Sequence, residues 1–200
     1  MIDEAALEAR GVSDGTPADR TAPRTIAVWD LPLRLWHWSL AASVVAAWFT
    51  PTVYDRAHRI LGYAVLALLA FRLVWGFYGS RYSRFHMVGV RLRAAPGYLW
   101  NLRRGITGRY IGLNPAGTLM LVALLLAIAI SAITGALSVT VTFFGIWWIE
   151  DTHAVASDAV MVLVVLHVAG VVLMGILQRE NLIRAMLTGR KRIRGHSQSS

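Results

Sequence analysis

The sequence predicts an all-α integral membrane protein, a four-helix bundle with both termini in the cytoplasm. Three observations carry that expectation: 56% of the 200 residues are hydrophobic, the chain holds four long apolar runs, and its basic residues gather at alternate ends of those runs. A mean hydropathy of +0.52 describes a chain whose preferred solvent is a bilayer.

Residues 1–25 read as a disordered cytoplasmic tail. Asp3, Glu4, Glu8, Asp14 and Asp19 stand among Gly11, Gly15, Pro17 and Pro23, with no compact apolar stretch, so no secretory signal is expected. One helical domain follows over 26–195, and 196–200 form a C-terminal tail. Within the domain the spans are expected at Leu33–Val53, Ile60–Tyr78, Ala116–Ser138 and Ala154–Leu177, each close to the ~20 residues that a helix needs to cross a bilayer. The runs are continuously apolar and lack the alternation of a membrane strand, which favours helices over a barrel. Between the second and third spans, "APGYLWNLRR" predicts a surface-lying amphipathic helix. Pro96 suits its start, Tyr98, Leu99, Trp100 and Leu102 can dip into the interface, and its arginines are drawn to anionic lipid. "FFGIWWIED" reads as an outer aromatic belt before the fourth span.

The formal net charge is +9. The placement of the basic residues argues against nucleic acid as a partner, because they cluster at the ends of membrane runs. Residues 1–34 hold four Arg, residues 80–115 hold seven, and the segment after Leu177 holds six Lys or Arg, whereas the two other connections hold only Arg56 and Arg59. The positive-inside rule then puts both termini and the 80–115 loop in the cytoplasm and the two short connections outside. The absence of cysteine excludes disulfides, thiolate metal sites, iron–sulfur clusters and covalently attached haem.

Four of the six histidines, His37, His58, His153 and His167, fall within or at the ends of the spans. A lone histidine at a span end is most simply an interfacial polar residue, but their arrangement asks for more. His153 and His167 are fourteen residues apart, which returns a helix to within about 40° of its starting direction and separates the rings by roughly 21 Å along the axis. By topology, His37 and His167 share a cytoplasmic level, and His58 and His153 share an outer one. Two histidines at each of two depths, from facing helices, suit axial coordination of two stacked haem groups, which would give each imidazole a partner inside an apolar site.

Arg72 follows His58 by the same fourteen residues and lies on its face at the inner level. There it is expected either to snorkel or to meet a haem propionate, and Arg34 and Arg59 are weaker candidates for the latter role. Glu150, Asp151 and Asp158 read as a solvated outer rim, and His86 and His196 as unliganded. The third span has no ionisable residue between Thr118 and Ser138, and Gly117, Ser131 and Gly135 suggest close helix packing. That span is expected to form a cofactor wall without donating a ligand.

Several fragments together resemble the bacterial cytochrome b561 and nickel–iron hydrogenase cytochrome b family over residues 26–195. They are "VWDLPLRLWHW", "HRILGYAVLALLAFRLVWGFYGSRYSRF", "GLNPAG", "LHVAG" and "RENLIRAMLTGRKR". The resemblance implies two non-covalent b haems with His37, His58, His153 and His167 as axial ligands. It also implies transfer of electrons between a redox partner and the quinone pool. Candidate partners are a periplasmic cytochrome c, a dehydrogenase or a hydrogenase subunit. The chain departs from common relatives at Leu113, Ala154 and Gln178, none of them an expected ligand. Two other functions compete with an electron conduit. A stand-alone haem oxidoreductase would turn over quinone or superoxide, and a histidine-based transporter would carry protons or divalent metal, although no internal repeat marks one.

Overall fold

The computed structural model describes residues 24–27, 29–50, 55–79, 85–105, 114–178 and 181–193. The expected tails fall almost entirely outside the described residues, as do His196, Leu113 and the side chains of His86 and Gln178. In chain order the elements are β1 (Arg24–Ala27), α1 (Leu31–Trp48), α2 (Asp55–Tyr78), α3 (Phe85–Arg103), α4 (Pro115–Ser138), α5 (Trp147–Gln178), α6 (Leu182–Thr188) and β2 (Arg190–Ile193).

Each long helix begins or ends where local chemistry dictates. Asp30 caps α1 by accepting a hydrogen bond from the Leu33 N–H at 3.0 Å, with Pro32 in the first turn, so the helix starts ahead of the expected Leu33. It stops at Trp48 in a tightened last turn, where the Ala46 and Ala47 carbonyls accept from the Phe49 and Thr50 N–H groups at 3.2 and 3.3 Å and the Thr50 hydroxyl lies 3.1 Å from both. The second helix starts at Asp55 instead of Ile60. Asp55 suits the positive end of the helix dipole and pairs with Arg59 at 2.9 Å, one turn on. His58 therefore lies inside the first turn of α2. Asn114 caps α4, accepting from the Gly117 N–H at 2.6 Å, and Pro115 takes the first helical position.

One expectation needs correction. Pro96 does not start α3 but sits inside it. The helix tolerates the lost backbone bond because its buried face, with Ala95 and Tyr98, runs across the proline and packs on α4, where Asn114 donates to the Tyr98 hydroxyl at 3.2 Å. A short two-stranded ribbon accompanies the helices. The basic segment after α6 forms β2, which pairs antiparallel with β1 so that Arg24 faces Ile193 and Ala27 faces Arg190. Gly189, with φ of 75°, ends α6 in the left-handed conformation, and its carbonyl accepts from the Trp29 N–H at 3.2 Å. Any side chain at that glycine would collide with the Trp29 carbonyl and the Arg34 guanidinium.

The buried core draws on all four long apolar helices: Leu33, Trp36 and Leu40 from α1, Val65 from α2, Ile128 from α4 and Val160 from α5. Trp36 is held by donating its indole N–H to the Leu68 carbonyl at 2.8 Å. Around this core the surface stays apolar, with Leu126, Val162, Val165, Leu173 and Ile176 facing outward. Three helices, α2, α4 and α5, are long and apolar enough to cross a membrane. This is a multi-pass membrane protein. α1, with 18 residues that include Pro32, Arg34 and His37, is not among those three. At 32 residues α5 is about 48 Å long, more than the ~30 Å hydrocarbon thickness, so it tilts or projects at its ends.

Candidate functional site

Close backbone approach runs from α1 to α2, α2 to α4 and α4 to α5, with α3 beside α4, while α5 stands off from α1 and α2. The four histidines reach into that opening. On α1 and α5, His37 and His167 lie with ring centroids 6.4 Å apart and planes inclined at 53°. On α2 and α5, His58 and His153 lie 6.0 Å apart, near perpendicular at 81°. Metal–nitrogen bonds of about 2 Å, plus roughly 1 Å from nitrogen to ring centre, put two imidazoles on opposite sides of one metal about 6 Å apart. Both pairs have that spacing.

The outer pair is also fixed in tautomer. The Nδ1 of His58 lies 2.9 Å from the Ala47 carbonyl, and the Nδ1 of His153 lies 2.8 Å from the Ser131 carbonyl. A carbonyl can only accept, so each Nδ1 carries the proton and each Nε2 keeps its lone pair free for a metal. Ala47 serves because it lies in the last turn of α1, where carbonyls lack helical partners. Ser131 serves because Gly135 clears the way: a Cβ there would come within 2.8 Å of the His153 Cε1 and 2.9 Å of its Nδ1. The Ser157 hydroxyl donates to the His153 carbonyl at 2.7 Å and lies 2.8 Å from the Ser131 hydroxyl. Since its own proton is committed to the carbonyl, Ser157 accepts from Ser131, and this short chain joins α4 to α5 beside the ring.

At the inner level His37 meets Trp38 edge-on, at 5.2 Å between centroids, and its Nδ1 is buried with no hydrogen-bond partner among the described residues. Arg72 is 4% exposed, so it faces the interior and does not snorkel. Its guanidinium carbon lies 5.7 Å from the centre of the Trp36 ring. Asp30 is within electrostatic reach and also accepts from the Trp75 indole at 3.3 Å, so Arg72 already has a protein carboxylate to balance it. Arg34 lies against Gly189, and Arg59 points to the exposed rim in its pair with Asp55.

Sequence reasoning missed the groups that hold these side chains. Asp30 was legible as a helix cap ahead of "LPLRL". The Ala47 and Ser131 carbonyls left no signal in residue types. Gly135 was legible only as a small residue, since its role depends on which ring faces it.

The profile of the prokaryotic cytochrome b561 family matches residues 28–189. A probable Ni/Fe-hydrogenase B-type cytochrome subunit of Azotobacter vinelandii is 26% identical, covering 92% of this chain and 95% of that protein. A protein of the same description from Azotobacter chroococcum mcd 1 is 28% identical over 71% of this chain and 68% of its own length. No solved structure matches. The profile spans every apolar helix and all four paired histidines, and by that match the chain belongs to the prokaryotic cytochrome b561 family, membrane b-type cytochromes that use haem b in electron transfer.

Proposed function

We propose that this chain is a di-haem electron conduit of the bacterial inner membrane. His37 and His167 would hold an inner haem b, and His58 and His153 an outer one. The observation that carries this reading is the spacing of two ring pairs at the span of a doubly ligated iron, with both outer rings presenting a bare Nε2. The group, when bound, supplies reversible one-electron chemistry. The protein's own residues do the rest. The Ala47 and Ser131 carbonyls orient the outer rings, Gly135 makes room for one of them, and the apolar core with Leu40, Val65, Ile128 and Val160 excludes water. Arg72 is buried at the inner level beside Trp36 and within electrostatic reach of Asp30, and its guanidinium would be the group to meet a propionate there.

The same-side joining of β1 and β2 supports an even number of crossings, hence α1 as the fourth span. The basic residues of both ends support a cytoplasmic face for the ribbon. The descriptions of the two relatives favour a hydrogenase as electron donor, with the quinone pool as acceptor.

The test is a reduced-minus-oxidised visible spectrum of the purified chain, with acid-acetone extraction of the pigment and haem quantified per chain. Two extractable b haems are expected. One haem, or a folded protein with none, would overturn the reading.

A further inference from the structure

We infer that two copies of this chain pair in the membrane through the outward face of α5, with Asp158 of each copy in the contact. That face is turned away from the histidine rings, and the inference does not rest on the di-haem reading.

Asp158 does not share the rim with Glu150 and Asp151. Its chain neighbour Ser157 lies 2.8 Å from the Ser131 hydroxyl of α4, and Ser131 stands seven residues, about 10 Å, short of the end of α4 at Ser138. An aspartate side chain is too short to cover that distance to the headgroups. Asp158 is exposed, and its place five residues after His153 turns it about 140° away from that ring. Among the described residues it has no hydrogen-bond or ion-pair partner. An unpartnered acid at this depth is costly in lipid, so a group from outside the four helices must complete it.

The residues around it form a seam. Val155, Asp158, Val162, Val165, Ala169 and Val172 are all exposed and follow one another at spacings of 3, 4, 3, 4 and 3. That is the repeat by which two helices wind around each other with a left-handed twist, the prevailing packing in membranes. The four valines have little side-chain freedom to lose on packing, and Ala169 lets the backbones approach. Among the long helices α5 packs closely only on α4, which leaves the seam bare.

A second copy fits this seam because the seam complements itself. A two-fold axis relating copies inserted the same way runs along the bilayer normal, so the paired helices are parallel and equal residues meet at equal depth. Asp158 then faces Asp158, and one carboxyl group donates to the other. A single polar residue in an apolar seam also fixes register, since any slip leaves both acids unpaired.

The chain has no cysteine, so single introduced cysteines report contacts cleanly. In membranes holding the full chain, Val162→Cys should give a disulfide-linked dimer under mild oxidation, whereas Leu126→Cys, exposed on α4, should stay monomeric. Adding Asp158→Ala to Val162→Cys should bring the dimer down to the Leu126→Cys level. Asp158→Asn, whose amide both donates and accepts, should keep it. Val165→Trp, which leaves Asp158 in place and overfills the seam, should also lower it, with the yield of inserted chain showing that each variant folds. No cross-link at Val162→Cys, equal cross-linking at Leu126→Cys, or a dimer indifferent to both Asp158→Ala and Val165→Trp would overturn the inference. Loss of the dimer in Asp158→Asn would point to a cation on a different chain as the mate of Asp158 and overturn self-pairing as well.

Discussion

At the scale of single residues, the proposed outer site depends on a missing side chain. Gly135 lets the His153 ring approach the α4 backbone closely enough to donate to the Ser131 carbonyl. Alanine there meets the ring at 2.8 Å, and the neighbours that would have to yield are a ring held by a hydrogen bond and a helix backbone. Gly135→Ala should therefore cost roughly half or more of the outer haem while sparing the inner one, read as haem per chain and as selective loss of one spectral component. Full retention of both would show that the ring relocates at little cost. The four histidines and Arg72 were legible in the sequence because polar groups in apolar runs are conspicuous. The carbonyls that orient them were not, because every residue has one and only the fold selects which is used.

At the scale of elements, helix ends carry much of the information. Asp30 caps α1, accepts from Trp75 of α2 and balances Arg72, so one carboxylate ties the starts and ends of two helices together. Loss of an N-cap alone costs about 1 kcal/mol. Asp30→Ala should lower stability by at least that much, and Asp30→Asn, which keeps a capping oxygen but not the charge, should recover part of it. Thermal unfolding of the detergent-solubilised chain would measure both, and equal losses would assign the effect to charge alone. The apolar runs predicted α2, α4 and α5 well in their interiors. The starts of α2 and α5 precede the expected ones, because Asp55, which pairs with Arg59, and Trp147 lie in polar and aromatic flanks that hydropathy does not mark. The ribbon was illegible, since its strands lie at opposite ends of the described chain and β2 reads as a charge run.

At the scale of the whole molecule, β1 and β2 bring the two ends of the described chain together, which accords with the even number of crossings in the proposed topology. Reporter fusions should agree: a reporter active only in the cytoplasm should work at the C-terminus, and one active only outside should work in the 139–146 loop. The opposite pattern would invert the topology proposed from the basic residues. Family membership and overall helical character were visible in the sequence, while the ring-to-ring geometry needed helices to be placed against one another.

The long helix α5 contributes one imidazole to each pair. The vertical gap between the two sites is thus set by the fourteen-residue pitch of one rigid rod, about 21 Å from end to end. Sideways breathing of α1 or α2 would loosen the grip on either proposed haem, yet it leaves that ruler unchanged. Because tunnelling rates fall exponentially with distance, the proposed relay between levels should be insensitive to motions that open the cleft.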